Sequence, residues 1–296
     1  MALKRLTLGA NLWHDKRDYH YPVLIAGSAQ YYSDNDIDIS HLMPEIIDQG
    51  ILPTCVGQAG RSTMGTAYSD VQLSAMQMYC RAQLYDELQG EDYDGTSLSG
   101  LCKALLKEGV CAANLWIYGN TVGAQGWLED AAKRKILSYH RISIGDIYEI
   151  QRQLVTYKKP ILISYIVRDH LFNYFGRPNA VIDEQLYTNS KYVGGHGGAI
   201  CGVLFIEGKV YIKVANSWGK HFNDEGYGIF PYSLLKRITK NVYVVVTDKD
   251  AAFDLKLRQE QLEAKRNAVQ KFFYKLKDLV NHFRATVERI FKKGLR

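Results

Sequence analysis

An α+β fold in two lobes, a helical one followed by a sheet, is predicted by three observations. Residues 55–135 carry helical patterning with capping signals. From Pro160 onward the apolar residues fall in short β-branched runs. The last 46 residues form a separate amphipathic pattern without Pro or Gly until Gly294. Helices in one stretch of chain and strands in the next pack as two layers, with a cleft where they meet.

The elements follow in order. Residues 1–40 are a polar, tyrosine-rich extension expected to pack on the surface. After Cys55 come Val56-Gly57-Gln58-Ala59-Gly60-Arg61 and further small residues, suited to a helix with close neighbours. Ser74-x-x-Gln77 reads as a capping box opening a second helix. A third begins near Ser97 or Ser99 and stops at Gly109, a residue type favoured just past a helix end. The strands are 161–167, 199–205, 209–215 and 241–246. These assignments give a helical lobe over about 55–135 and a sheet lobe over about 136–250.

Composition sets limits. With 296 residues, 47% hydrophobic and 23% charged, the chain is long enough for one large domain plus an accessory. The first residues hold a basic pair and an apolar run broken by Asn11, a poor match to a secretory signal. Nor does any uncharged stretch read as a bilayer span, since the longest, 109–128, is broken by glycines and amides. The five cysteines, at 55, 80, 102, 111 and 201, are expected to be mostly reduced, with Cys102–Cys111 the one pairing weighed. Neither Cys-x-x-Cys nor His-x-x-x-His occurs, so no metal or other cofactor is expected.

Chemistry centres on Cys55. A thiol becomes a strong nucleophile only when ionised, which near neutral pH requires a cation or a helix N-terminus beside it. Lowering a thiol from about 8.5 to about 3–4 takes roughly 6 kcal/mol. One helix end supplies about 0.3–1 kcal/mol, so a histidine partner is needed. His196, within Gly194-Gly195-His196-Gly197-Gly198, is the candidate, since glycines let backbone and substrate approach. Asn216 closes the 209–215 strand, where its amide oxygen can accept the ring N–H and set the tautomer. Gln49 can donate a side-chain N–H to an oxyanion, with the Cys55 backbone N–H as second donor.

The order Gln49, Cys55, His196, Asn216-Ser217-Trp218-Gly219, followed by Gly226-Tyr227, resembles the papain-like cysteine peptidases over roughly residues 41–250. That resemblance implies a two-lobe papain-like fold with a barrel-like antiparallel lobe. It implies Cys55 as nucleophile, His196 as general base and acid, Asn216 as its orienting residue, Gln49 as oxyanion donor and Trp218 as shield. Gly95, Gly195 and Trp218 are the candidate substrate-binding residues. Departures are Val56 where the family has an aromatic, Leu52 where it often has a disulfide cysteine, and Asp94-Gly95-Thr96-Ser97 in place of its glycine-rich stretch. Fifty-four residues before Cys55 are too few for a large inhibitory prodomain, leaving room for a small N-terminal plug.

The tail reads differently. Residues 251–296 hold twelve Lys/Arg against five Asp/Glu, so the formal +6 of the chain resides there. Leu255, Leu262, Val269, Leu276, Phe283 and Ile290 recur every seven residues, with Phe273, Val280 and Val287 interleaved. A continuous helix of ~60 Å follows at ~1.5 Å per residue. Its stripe fits packing on the core, self-association or docking to a large assembly such as a virion through 255–293; its charge fits an anionic membrane or nucleic acid. The predicted partners are therefore a protein or peptide substrate and one of these surfaces.

Overall fold

The computed structural model describes residues 8–12, 35–87, 93–256, 259–260, 262–267 and 269–272. The chain divides into two compact units, Met1–Asp248 and Lys249–Arg296.

The first unit opens with two short strands, β1 (Ala10–Asn11) and β2 (Ile37–Asp38). Helix α1 (Cys55–Ala67) is buried from Cys55 through Gly65. Its small residues allow this: a Cβ on Gly57 would lie 2.3 Å from the Ala75 carbonyl oxygen, and one on Gly60 would lie 2.9 Å from Met78 Sδ. Helix α2 (Ala75–Gln83) therefore packs backbone to backbone against α1. Ser74 Oγ accepts the Gln77 N–H at 3.0 Å, as the capping signal predicts. The reciprocal half of the box does not form, because the Gln77 amide donates to Gly109 O across the lobe. Strand β3 (Thr96–Ser97) leads into α3 (Leu98–Lys107), whose cap is Ser97 Oγ accepting from Gly100 N. Gly109 follows at φ +87°, a left-handed residue that turns the chain out of the helix. A short α4 (Trp127–Ala131) completes this half.

The second half is built on β4 (Ile136–Arg141), β5 (Ile161–Arg168), β6 (Tyr192–Ile206), β7 (Lys209–Ala215), β8 (Tyr227–Pro231) and β9 (Thr239–Thr247). Among the described residues these strands form one antiparallel sheet in the order β4-β9-β5-β6-β7-β8, with β2 added alongside β6. Helices α5 (Ile147–Tyr157), α6 (Glu184–Asn189) and α7 (Tyr232–Ile238) lie in the connections. Sequence patterning missed β4, β8 and these three helices, although Asp146 and Asp183 cap α5 and α6 as acidic N-caps do. Strand β5 explains the continuous apolar run at 161–167. Ile161 and Ile163 face a core shared with Ile150 and Leu154, whereas Leu162 faces Val56, Met64 and Leu101 of the helical half.

Strand β6 is longer than the predicted 199–205. It starts at Tyr192, so the glycine run around His196 is strand and not an approach loop. The ladder to β5 runs through it, with His196 opposite Tyr165 and Gly197 opposite Ser164. Side chains are dispensable there because α1 occupies the space: a Cβ on Gly197 would meet Val56 Cα at 3.1 Å.

No disulfide joins any of the five cysteines. In the second unit 249–256, 259–260, 262–267 and 269–272 are helical. Leu255, Leu262 and Val269 of the predicted stripe are 60%, 65% and 54% exposed. Phe273, Leu276, Val280, Phe283, Val287 and Ile290 lie outside the described residues. Among the described residues no helix is long and apolar enough to cross a membrane.

Candidate active site

Three local structures bring the site together. Cys55 is the first residue of α1, where the helix presents its positive end to the sulfur. Thr54, ahead of it, makes no cap with its side chain and instead hydrogen-bonds Tyr118 Oη at 2.6 Å. Opposite stands the β6–β7 hairpin, closed by Glu207 and Gly208 at φ +50° and +73°, the two-residue turn that matches strand twist. Its register pairs Ala199 with Ala215, which sets His196 and Asn216 beside each other at the open end. The third element is the bend at Gln49, whose backbone N–H donates to Ser217 O at 2.8 Å.

The imidazole and the amide meet directly, with His196 Nε2 2.6 Å from Asn216 Oδ1. Asn216 Oδ1 also accepts the Ser217 N–H at 2.7 Å, which fixes the amide as the acceptor side. A neutral ring therefore carries its proton on Nε2 and leaves a lone pair on Nδ1. His196 Nδ1 has no hydrogen-bond partner among the described residues. Trp218 covers this pair, with its ring centroid 4.5 Å from that of His196. It is 2% exposed and held by Phe172, Phe175 and Phe222, so it lies behind the ring and not on an open substrate surface.

Gln49 is held by Ser217 at both ends of the contact. Ser217 Oγ donates to Gln49 Oε1, and Gln49 Nε2 donates to Leu52 O at 2.8 Å. An amide NH2 carries two hydrogens, and Leu52 O takes one of them. Ser217 is thus a functional residue that sequence reasoning passed over; its signal was its place between Asn216 and Trp218.

The sulfur is surrounded by backbone. Burial pushes the Cys55 thiol up, while N–H groups of Gly197, Gly9 and Val56 pull it partly back. Burial also holds His196 down at about 4, against a smaller upward pull from Asn216. Both groups are 0% exposed, so this closed site holds a neutral thiol and a neutral imidazole. The two directions share one cause, the exclusion of water from both groups.

What excludes it is the chain itself. Residues 8–12 run between the two walls of the cleft, where the tyrosine-rich extension was expected on the surface. Strand β1 pairs in parallel with β3, Ala10 opposite Thr96 and Asn11 opposite Ser97, and Gly9 O accepts the Thr96 N–H at 2.8 Å. Gly95 and Gly195, the predicted substrate-binding glycines, are the close points of these walls. A Cβ on Gly95 would lie 2.2 Å from Gly9 O, and one on Gly195 would lie 2.2 Å from Ala10 O. Among the described residues no group of three or more His, Cys, Asp or Glu is placed to hold a metal.

A cysteine at the head of a buried helix, packed at Gly197 on the strand whose His196 pairs with Asn216 under a tryptophan, is the arrangement of the papain-like fold. Comparison with solved structures agrees. Xylellain, a cysteine protease from Xylella fastidiosa, matches with a TM-score of 0.64 at 21% identity, covering 83% of this chain and 99% of that one. A proCathepsin B from Trypanosoma congolense matches at 0.62 and 18% identity, over 82% and 87%. In sequence, an uncharacterized peptidase C1-like protein of Acanthamoeba polyphaga mimivirus is 24% identical over 234 residues, 72% of this chain and 69% of its own. No protein-family profile matches. The chain has the papain-like fold and is similar in sequence to a C1-like peptidase.

Proposed function

We propose that this protein hydrolyses peptide or isopeptide bonds through Cys55, His196 and Asn216, with Gln49 as an oxyanion donor. One observation carries the reading: the ring whose Nε2 is pinned by Asn216 keeps Nδ1 unpartnered, and the sulfur takes the N–H of the very next residue, Gly197. In the reaction His196 Nδ1 takes the Cys55 proton as Sγ adds to the carbonyl carbon, and the carbonyl π electrons move to oxygen. The oxyanion is met by the Cys55 backbone N–H and by Gln49 Nε2, which shares its hydrogens with Leu52 O or exchanges that carbonyl for the anion. Collapse breaks the C–N bond, the imidazolium gives its proton to the leaving amine, and a thioester remains. Water then repeats the sequence with His196 as base, releasing the acid and restoring the thiol.

A peptide electrophile directed at thiols tests this. Wild type, with its cleft opened, is expected to form one adduct on Cys55 and to hydrolyse a peptide substrate; Cys55→Ala is expected to do neither. A hydrolysis rate in Cys55→Ala within tenfold of wild type rules the reading out.

A second reading concerns the tail. The exposed Leu255, Leu262 and Val269 favour a helix that docks, by self-association or on a larger assembly, alongside the catalytic unit. Removing residues 251–296 is then expected to reduce the sedimentation coefficient to that of a monomer with peptidase activity retained. Unchanged sedimentation counts against it.

A further inference from the structure

We propose that Tyr118 is a positioning residue for the hydrolysis: its hydroxyl braces the Gln49 bend against the residue before Cys55 and so fixes where the oxyanion donor stands. The inference rests on Cys55 and Gln49 acting as read above, and it adds a residue outside that set which acts through Gln49.

One hydroxyl meets both sides of the bend. Tyr118 Oη donates to Gln49 O at 2.9 Å and lies 2.6 Å from Oγ1 of Thr54, the residue directly before Cys55. A phenol has one hydrogen, and Gln49 O takes it, so Thr54 is the donor in the second bond. The chain of bonds therefore runs from the Thr54 hydroxyl through that of Tyr118 to the Gln49 carbonyl. Both ends are interior, with Thr54 0% and Gln49 1% exposed, whereas Tyr118 itself is 40% exposed. Between those ends lies a tight turn, in which Gly50 sits at φ +62° and the Leu52 N–H reaches Gln49 O at 3.3 Å. Ser217 fastens Gln49 to the sheet half, and Tyr118 fastens it to the helical half.

The bond to Thr54 replaces an ordinary helix cap. Helices α2, α3, α5 and α6 each begin with a side-chain oxygen that accepts a first-turn N–H, from Ser74, Ser97, Asp146 and Asp183. Threonine is a residue type that makes such caps, yet Thr54, at φ −92° and ψ 13°, makes none and commits its hydroxyl to Tyr118. The brace is itself held on both sides in sequence. Ser74 Oγ donates to Trp116 O at 2.7 Å, and Trp116 Nε1 donates to Asn120 O at 2.8 Å. The Trp116 ring packs edge-on against Trp127, with centroids 4.9 Å apart. Tyr118 thus projects from a loop whose neighbours at 116 and 120 are tied to each other and to the cap of α2.

The test separates the oxyanion from the thiol. Peptide hydrolysis needs both, whereas Sγ displaces iodide from iodoacetamide without forming an oxyanion. Hydrolysis, as kcat/KM, and Cys55 alkylation, read by mass spectrometry, are measured on the same full-length protein, so the frequency with which the cleft opens divides out of their ratio. Gln49→Ala is expected to lower that ratio by about 10²-fold or more, the effect of losing an oxyanion donor. Tyr118→Phe keeps the ring and lets the donor drift, so the ratio is expected to fall by about tenfold while alkylation stays within about twofold of wild type. In the Gln49→Ala background, Tyr118→Phe is expected to change the ratio by less than about twofold, because a residue acting through Gln49 has nothing left to place. A ratio in Tyr118→Phe within about twofold of wild type overturns the proposal. So does a further loss of about tenfold in the Gln49→Ala background, which marks an effect that does not pass through Gln49. Wild type whose Cys55 is alkylated while no peptide is hydrolysed removes the peptidase reading, and this inference with it.

Discussion

Replacing His196 with alanine is expected to reduce kcat/KM for peptide hydrolysis by about 10⁴-fold or more, the loss seen when the base of a nucleophile–base–orienter set is removed. The comparison is made with both proteins carrying the same opened cleft, so that access does not differ. The physical basis is the placement of the one ring: Nε2 is committed to Asn216, Nδ1 has no hydrogen-bond partner among the described residues, and Trp218 packs against the ring. His140 and His170 sit on other contacts, with Ser138 and with Asn173 and Tyr174. In the opened alanine variant the thiol loses its cationic partner, so its ionisation, followed by thiolate absorbance, is expected to move to higher pH. A rate within tenfold of the parent protein assigns the proton transfer elsewhere.

The second large effect is on stability in acid. His196 is held at about 4 in the folded protein, below the ordinary histidine value of about 6.5. Below pH 6.5 the unfolded chain takes up a proton that the folded one refuses, so stability is full above 6.5 and is lost as pH falls toward 4. The loss amounts to about 3 kcal/mol by linkage. His140, also lowered by burial, acts in the same direction. Asp38, Glu108 and Asp130 are held below the usual carboxylate range by their partners, so their contribution is lost at still lower pH. Urea midpoints between pH 7 and 4.5 separate these groups. His196→Gln is expected to flatten most of the slope and to leave the part due to His140; an unchanged slope in that variant excludes the assignment.

Much of the site was legible because its residues sit in short blocks whose local structure is nearly self-determined. The alternation of 209–215 delivers Asn216 to a strand end, and Ser97 and Gly109 mark α3 at both ends. Strand β6 was read too short because glycines carry no apolar signal; their strand state follows from the β5 ladder and from α1 lying on them, which are tertiary facts. Strand β8 and helices α5 to α7 carry no long apolar run, and only α5 and α6 are marked by acidic caps, Asp146 and Asp183. Residues 8–12 show no periodicity at all. Their burial depends on complementarity with Pro53, Gly95 and Gly195, which are distant in sequence, so no window around them reveals it.

The adjoining residues Asn216 and Ser217 hold one proposed catalytic group each: the first takes the imidazole N–H, and the second grips Gln49 through its hydroxyl and its carbonyl. A single peptide plane at the end of β7 is therefore the common datum for the His196 imidazole and the Gln49 amide. When that strand end shifts, both travel together and keep their spacing. Alignment errors then arise chiefly in the remaining coordinate, the stand-off between that plane and the head of α1.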